Sequence, residues 1–202
     1  MSSDDVRDAR RFWDGVAPDW QIQVGAEGDS NRRLNSDPVL WRFAGEVAGL
    51  SVLDAGCGTG YLTAKLAQRG AVPVGVDFST SMVELARGAH PDLDFRVDSI
   101  SHLYSLADKT IDLIVSNYVL MDTPELEEAV SSFYRVLRPG GVAVLIFSHP
   151  CFPAGQSTSP DDPTRIAYHW NHSYFERRRR VDPAWGHFTE DFVWFHRPLS
   201  DY

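Results

Sequence analysis

Short apolar runs alternate with amphipathic stretches through the middle of the chain. Residues 52–55, 72–76, 93–97, 111–116 and 142–147 are apolar and bounded by polar or glycine-containing turns, the pattern of buried strands. Helical patterns separate them. One covers 59–69 and stops at Gly70. The next is capped by Ser79 or Ser81, with Ser81 and Glu84 spaced as a capping box. A third opens at Thr123-Pro124-Glu125, carries Leu126, Val130, Phe133 and Leu137 on its apolar face, and is broken by Pro139-Gly140-Gly141. Upstream, 4–21 reads as a helix on the stripe Val6, Ala9, Phe12, Trp13 and Val16, and 25–33 as a polar loop. Asp37 as N-cap and Pro38 at the first helical position start a second helix that runs to about residue 47.

Near-continuous apolar strands alternating with helices predict an α/β fold, a Rossmann-like doubly wound parallel sheet covered on both faces. Crossovers are expected to be right-handed and a ligand to lie at the carboxyl ends of the strands. We read 1–202 as one domain: a helical cap over 1–48, a core over 49–148, and a lid or acceptor pocket over 149–202. The last part is rich in Pro, His and aromatics, including Phe152, Tyr168, Trp170, Trp185, Phe188 and Trp194. Residues 192–195 suit a strand of antiparallel sense, and Arg177 to Arg180 suit a solvated face or recognition of an acidic group.

Composition narrows the partners. The 202 residues are enough for one sizeable core, and the formal charge of −9 argues against nucleic acid or an anionic membrane. No apolar run approaches the roughly 20 residues of a membrane helix. The acidic start, Met1-Ser2-Ser3-Asp4-Asp5, lacks the basic and apolar parts of a signal peptide. Cys57 and Cys151 are the only cysteines. Cys57 lies in a glycine loop where a disulfide would obstruct a ligand, so a reduced, cytoplasmic setting is expected. The oligomeric state stays open.

The chemistry concentrates at Asp54-Ala55-Gly56-Cys57-Gly58-Thr59-Gly60. Three glycines after an apolar strand let a ligand approach the backbone, and the following helix start favours negative charge. Asp77, closing the next apolar run, is placed to accept from ribose hydroxyls. These parts describe a nucleoside-cofactor site. The dinucleotide spacing G-x-G-x-x-G would need glycine at position 61, where Tyr61 stands, and no Gly-Lys-Ser/Thr ending marks a P-loop.

Leu53-Asp54-Ala55-Gly56-Cys57-Gly58-Thr59-Gly60 resembles motif I of the class I S-adenosylmethionine (SAM)-dependent methyltransferases. The similarity continues in order through Gly75-Val76-Asp77-Phe78-Ser79, Asp112-Leu113-Ile114-Val115-Ser116 and Arg135-Val136-Leu137-Arg138-Pro139-Gly140-Gly141. It spans roughly residues 40–150, and the small-molecule, ubiquinone-type (type 11) branch looks most similar. The resemblance implies SAM as cofactor and S-adenosylhomocysteine as product. It implies that Ala55, Gly56, Cys57, Gly58 and Gly60 line the methionyl side, that Asp54 holds the methionyl amine directly or through water, and that Asp77 binds the ribose. Phe78 and Met82 would flank the adenine. Asp98 would accept from its amino group, with Ser99 and Ile100 beside it, and Asn117 would lie near the methionyl group.

His149, just past the fifth strand, has a ring suited to general-base work or to a structural hydrogen bond. His169-x-x-His172 has a ligand-like spacing without a clear third ligand, so no metal is expected. Trp13, Trp20 and Arg33 are candidates to close over the cofactor. The expected reaction is methyl transfer from SAM to a small, apolar or aromatic acceptor. The alternatives are a non-catalytic SAM-binding protein and, disfavoured by Tyr61, a nicotinamide oxidoreductase. Residues 196–202 look like the start of a further helix. The family's last antiparallel strands would then be missing, through a shorter sheet or a truncated sequence, and a sheet edge would be exposed.

Overall fold

The structure is a computed structural model, and it describes residues 3–151, 155–162, 164–168 and 172–202. Phe152, His169 and Trp170 lie outside the described residues. Strands β1 (Ser51–Ala55), β2 (Val72–Asp77), β3 (Asp94–Val97), β4 (Ile111–Asn117) and β5 (Leu137–Ile146) form one sheet in the order β3-β2-β1-β4-β5. Every neighbouring pair is parallel. The chain winds outward from β1 through β2 to β3, then returns to the other side of β1 for β4 and β5. The winding therefore reverses between β1 and β4, and the crevice at their carboxyl ends is where such a sheet takes a ligand.

The unbroken apolar runs are explained by burial on both sides. Val52 of β1 and Leu113 and Val115 of β4 point to one face, where they meet Leu40, Leu62 and Leu66. Leu53 and Ile114, one residue out of phase, point to the other face against Leu103, Phe133 and Val136. Helices α1 (Ser3–Val24), α2 (Asp37–Ala44), α3 (Tyr61–Gln68), α4 (Thr80–Ala89) and α5 (Leu126–Val136) cover the two layers. Pro18 sits inside α1, where it removes one backbone donor without ending the helix. Ser79 rather than Ser81 caps α4: its Oγ accepts the Met82 amide at 3.1 Å.

Three boundaries differ from the sequence reading. Residues 30–36 are helical, not a loop, and a wide π turn covers Arg32–Ser36. Asp37 is therefore not an N-cap: the chain is already helical there, and its buried carboxylate accepts from Tyr61 Oη at 2.6 Å. Leu137, expected to be helical, opens β5 directly after α5. Pro139-Gly140-Gly141 then bulges out between the pairs Leu137–Ile111 and Val142–Leu113. An edge strand tolerates a proline there because no neighbour needs its amide.

The final residues do not start a helix. Phe192–His196 is a strand, β9, paired antiparallel with β8 (Arg178–Asp182), and Leu199–Asp201 is a single 3-10 turn. This hairpin, and a smaller one of β6 (Gly155–Ser157) and β7 (Ile166–Tyr168), are separate from the five-stranded sheet. Phe188 and Phe192 pack against Phe12 and Val16 of α1 and Met82 of α4, which fastens the C-terminal segment to the helical cap.

Gly60 shows why the loop needs its last glycine. Its φ is +88°, and a Cβ would stand 2.8 Å from Phe95 Cζ and 3.1 Å from Ala86 Cβ. Gly60→Ala should lower unfolding free energy by about 2–4 kcal/mol, combining left-handed strain with overpacking. Urea denaturation of the ligand-free protein measures this directly.

Candidate functional site

A cleft opens at the reversal point, floored by the loop after β1 and flanked by the ends of β2 and β4. Gly56 and Gly58 have φ of +81° and +52°, and both line the cleft. Gly56 is pressed against Val119, and Gly58 faces the Trp20 indole. Asp77, at the end of β2, holds the loop: its Oδ2 accepts the Gly58 amide and its Oδ1 the Ser79 amide, each at 2.9 Å. Phe78, Met82, Ser99 and Ile100 continue the wall on this side, and Val6 and Trp13 of α1 close it.

A smaller pocket continues behind the loop, sharing Trp20, Arg32, Gly56, Cys57 and Asn117 with the cleft and adding Asp54. Asp54 is buried and accepts from Thr63 Oγ1 at 2.6 Å. Asn117 donates from Nδ2 to Ser36 Oγ at 3.1 Å, while its Oδ1 is buried with no partner among the described residues. Arg32 is buried too. Its guanidinium meets Asp29 at 2.7 Å and lies 5.2 Å from the Trp20 ring centroid. An orphan acceptor, a buried carboxylate and a buried guanidinium thus surround one small space. That set suits a zwitterionic amino-acid group, and the Asp77 end suits a sugar diol.

Burial pushes the Asp54 carboxyl up to about 7 and the Asp77 carboxyl up to about 6, from an ordinary 3.8. The Cys57 thiol is pushed up by burial, with Asp77 and Asp54 adding to it. The folded protein therefore keeps protons that the unfolded chain has already lost. Stability of the ligand-free protein should fall as pH rises from about 4 to about 7 and level off above. Asp54→Asn should flatten that slope, as read from melting temperatures across the same range.

Most of the expected residues come together, but not all line the cleft. Gly56, Cys57, Gly58, Asp77, Phe78 and Met82 do, as do Ser99, Ile100 and Asn117. Ala55 is buried in the sheet, its carbonyl accepting from Ser116 Oγ, and Gly60 serves packing. Asp98 lies outside the lining: its two oxygens accept the Ser99 amide at 2.8 Å and the Ser105 amide at 2.7 Å. It shapes the loop that presents Ser99 and Ile100. Trp13 and Trp20 reach the cleft as expected, but Arg33 is exposed and Arg32 takes the inward position. The helical turn at 30–36 causes the exchange. Arg32, Ser36 and Leu40 are buried at a spacing of four, a phase visible in the sequence once that stretch is read as helix.

A second cavity of about 580 Å³ adjoins the cleft and is walled by Trp185, Trp194, Phe192 and Phe195 of the C-terminal segment. Trp13, Trp20, Arg32, Tyr118 and Asp122 line both spaces. His149 is an exposed residue at the rim of the second cavity, where its Nδ1 accepts the Cys151 amide at 3.1 Å. The neutral ring then carries its proton on Nε2, the tautomer that donates rather than accepts there. Arg177 to Arg179 are exposed, and Arg180 lies over the Trp194 ring. His172 meets His196 edge-on at 5.3 Å, and no group of three or more potential metal ligands occurs among the described residues. No described helix is long and apolar enough to cross a membrane.

Fold and site together suit a nucleoside joined to an amino acid. Residues 53–145 match the family model described as a methyltransferase domain. A demethylmenaquinone methyltransferase of Renibacterium salmoninarum is 34% identical over 146 residues, covering 70% of this chain and 59% of that protein. A malonyl-acyl-carrier-protein O-methyltransferase of Yersinia pestis is 36% identical over 100 residues, 50% of this chain and 36% of that protein. In structure, a SAM-dependent methyltransferase of Mesorhizobium loti superposes with a TM-score of 0.64 at 24% identity, over 81% of this chain and 74% of that one. Over this domain the chain is similar to SAM-dependent methyltransferases, consistent with the class I small-molecule type, and SAM is the cofactor that such a domain uses. It spans less than two thirds of the length of these curated relatives.

Proposed function

We propose that this protein transfers a methyl group from SAM to a small acceptor of apolar or aromatic character. The observation that carries the cofactor assignment is the partnerless, buried Asn117 Oδ1 beside Asp54 and Arg32. Asn117 and Asp54 would hold the methionyl amine, and Arg32 its carboxylate. Asp77 would take the ribose hydroxyls, with Phe78, Met82 and Ile100 against the adenine. SAM supplies a methyl group already activated by its sulfonium. The chain's task is then to align the acceptor and exclude water rather than to supply a strong catalyst.

The cavity behind Trp185, Trp194 and Phe195 is the acceptor site in this reading, which makes 149–202 one wall of an acceptor pocket. Its aromatic lining favours a flat, weakly polar molecule. An amine placed beside Asp54 favours its charged form, so SAM binding should release protons and tighten as pH rises through about 7.

The test is thermal shift with SAM, S-adenosylhomocysteine and NAD, followed by methyl transfer to a panel of phenols, amines and carboxylates. Stabilisation by the first two and turnover of aromatic members is the expected result. Stabilisation by NAD alone would reject the cofactor reading, and binding without turnover would reject the enzymatic one.

A further inference from the structure

We propose that Asp122 is the general base of the reaction, and that the acceptor is an aromatic hydroxyl compound whose O–H proton it takes. This rests on the acceptor cavity proposed above. Five residues line both the cofactor cleft and that cavity, and Asp122 is the one carboxylate among them. A group that meets both spaces stands where the methyl group must pass from one ligand to the other.

None of the other four shared residues carries a carboxylate. Arg32 is held by Asp29 and Trp20, and the Tyr118 hydroxyl is 3.5 Å from Asn31. The Asp122 carboxylate makes no hydrogen bond or ion pair among the described residues, so its oxygens are available to a ligand. Asp122 ends a 3-10 turn, Leu120–Asp122, that begins three residues after the end of β4. Arg197, itself buried, fixes that turn by donating to Leu120 O at 3.4 Å, Thr123 O at 2.6 Å and Pro124 O at 2.9 Å. Its guanidinium faces these carbonyls, and it favours the Asp122 charge from a distance. Burial nevertheless pushes the Asp122 carboxyl well above its ordinary value. His149 lines only the outer cavity.

The step balances without a further reagent. The acceptor oxygen gives an electron pair to the methyl carbon, and the carbon–sulfur pair stays on sulfur as the neutral thioether. The O–H bond breaks as its proton moves to the Asp122 carboxylate. A carboxylate acceptor, already ionised, would gain nothing from this base, and so an aromatic hydroxyl is the class the site favours.

2-Naphthol tests this without turnover, because its fluorescence separates the neutral from the deprotonated form. It is bound to the protein saturated with S-adenosylhomocysteine. The wild type should show naphtholate emission. Asp122→Asn should keep 2-naphthol affinity, while its naphtholate-to-naphthol emission ratio falls about tenfold or more. Asp122→Glu should restore part of it. Equal ratios in wild type and Asp122→Asn, or neutral emission from the wild type, would overturn the assignment. Failure of 2-naphthol to bind the saturated wild type would instead remove the acceptor cavity on which it rests. Failure of S-adenosylhomocysteine to bind would remove the cofactor reading.

Discussion

Asp77→Ala should weaken SAM binding by about 100-fold or more, as measured by titration calorimetry. Hydrogen bonds to a charged acceptor contribute about 1.5–3 kcal/mol each, and each 1.4 kcal/mol is tenfold in affinity. The carboxylate has two duties. It accepts the Gly58 and Ser79 amides, which fixes the glycine loop against the start of α4, and it faces the cleft where a ribose would lie. Alanine removes both. Asparagine should be intermediate, because its amide nitrogen must face one of two backbone donors. Circular dichroism separates lost binding from lost fold, and an unchanged affinity in Asp77→Ala would refute the ribose assignment.

Gly56→Ala should abolish detectable SAM binding while leaving most of the sheet folded. Gly56 has a φ of +81°, and a Cβ would lie 2.4 and 2.5 Å from the two Val119 methyl carbons. The backbone is strained for alanine, and relief can come only by driving Val119 or the loop into the cleft that both line. Adding Val119→Ala should remove the collision but not the strain, and so recover binding only in part. If Gly56→Ala alone binds SAM normally, the loop is not the close approach we describe. Thermal shift with and without SAM on the wild type, the single and the double variant decides it.

The middle of the sheet, β1 and β4 above all, was legible because both its faces are buried. Each of these strands then becomes an apolar run, and the glycine loop and Asp77 follow directly at strand ends. What escaped was set by tertiary context. Asp37-Pro38 reads as a helix start, yet a preceding π turn carries the helix across it and turns Arg32 inward in place of Arg33. Asp98 matches the expected position, but its oxygens are engaged by two amides of its own loop. Asp122 carries no motif. Only the packing of Arg197 beneath its turn, some seventy residues later in the chain, places it between two cavities. Residues 196–202 misled because a helix-like sequence end became a strand end and a 3-10 turn.

Trp13, Trp20 and Arg32 line both the cleft and the aromatic cavity beside it. A donor in one space and an acceptor in the other would both pack against these three side chains. Anything that orders these three side chains for one ligand has already met that entropic cost for the other. The two affinities are thus expected to be coupled, and the coupling has to be reciprocal. The factor by which S-adenosylhomocysteine tightens the acceptor is the factor by which the acceptor tightens S-adenosylhomocysteine. A helical cap outside the sheet would in this way make a binary complex the preferred receptor for the second substrate.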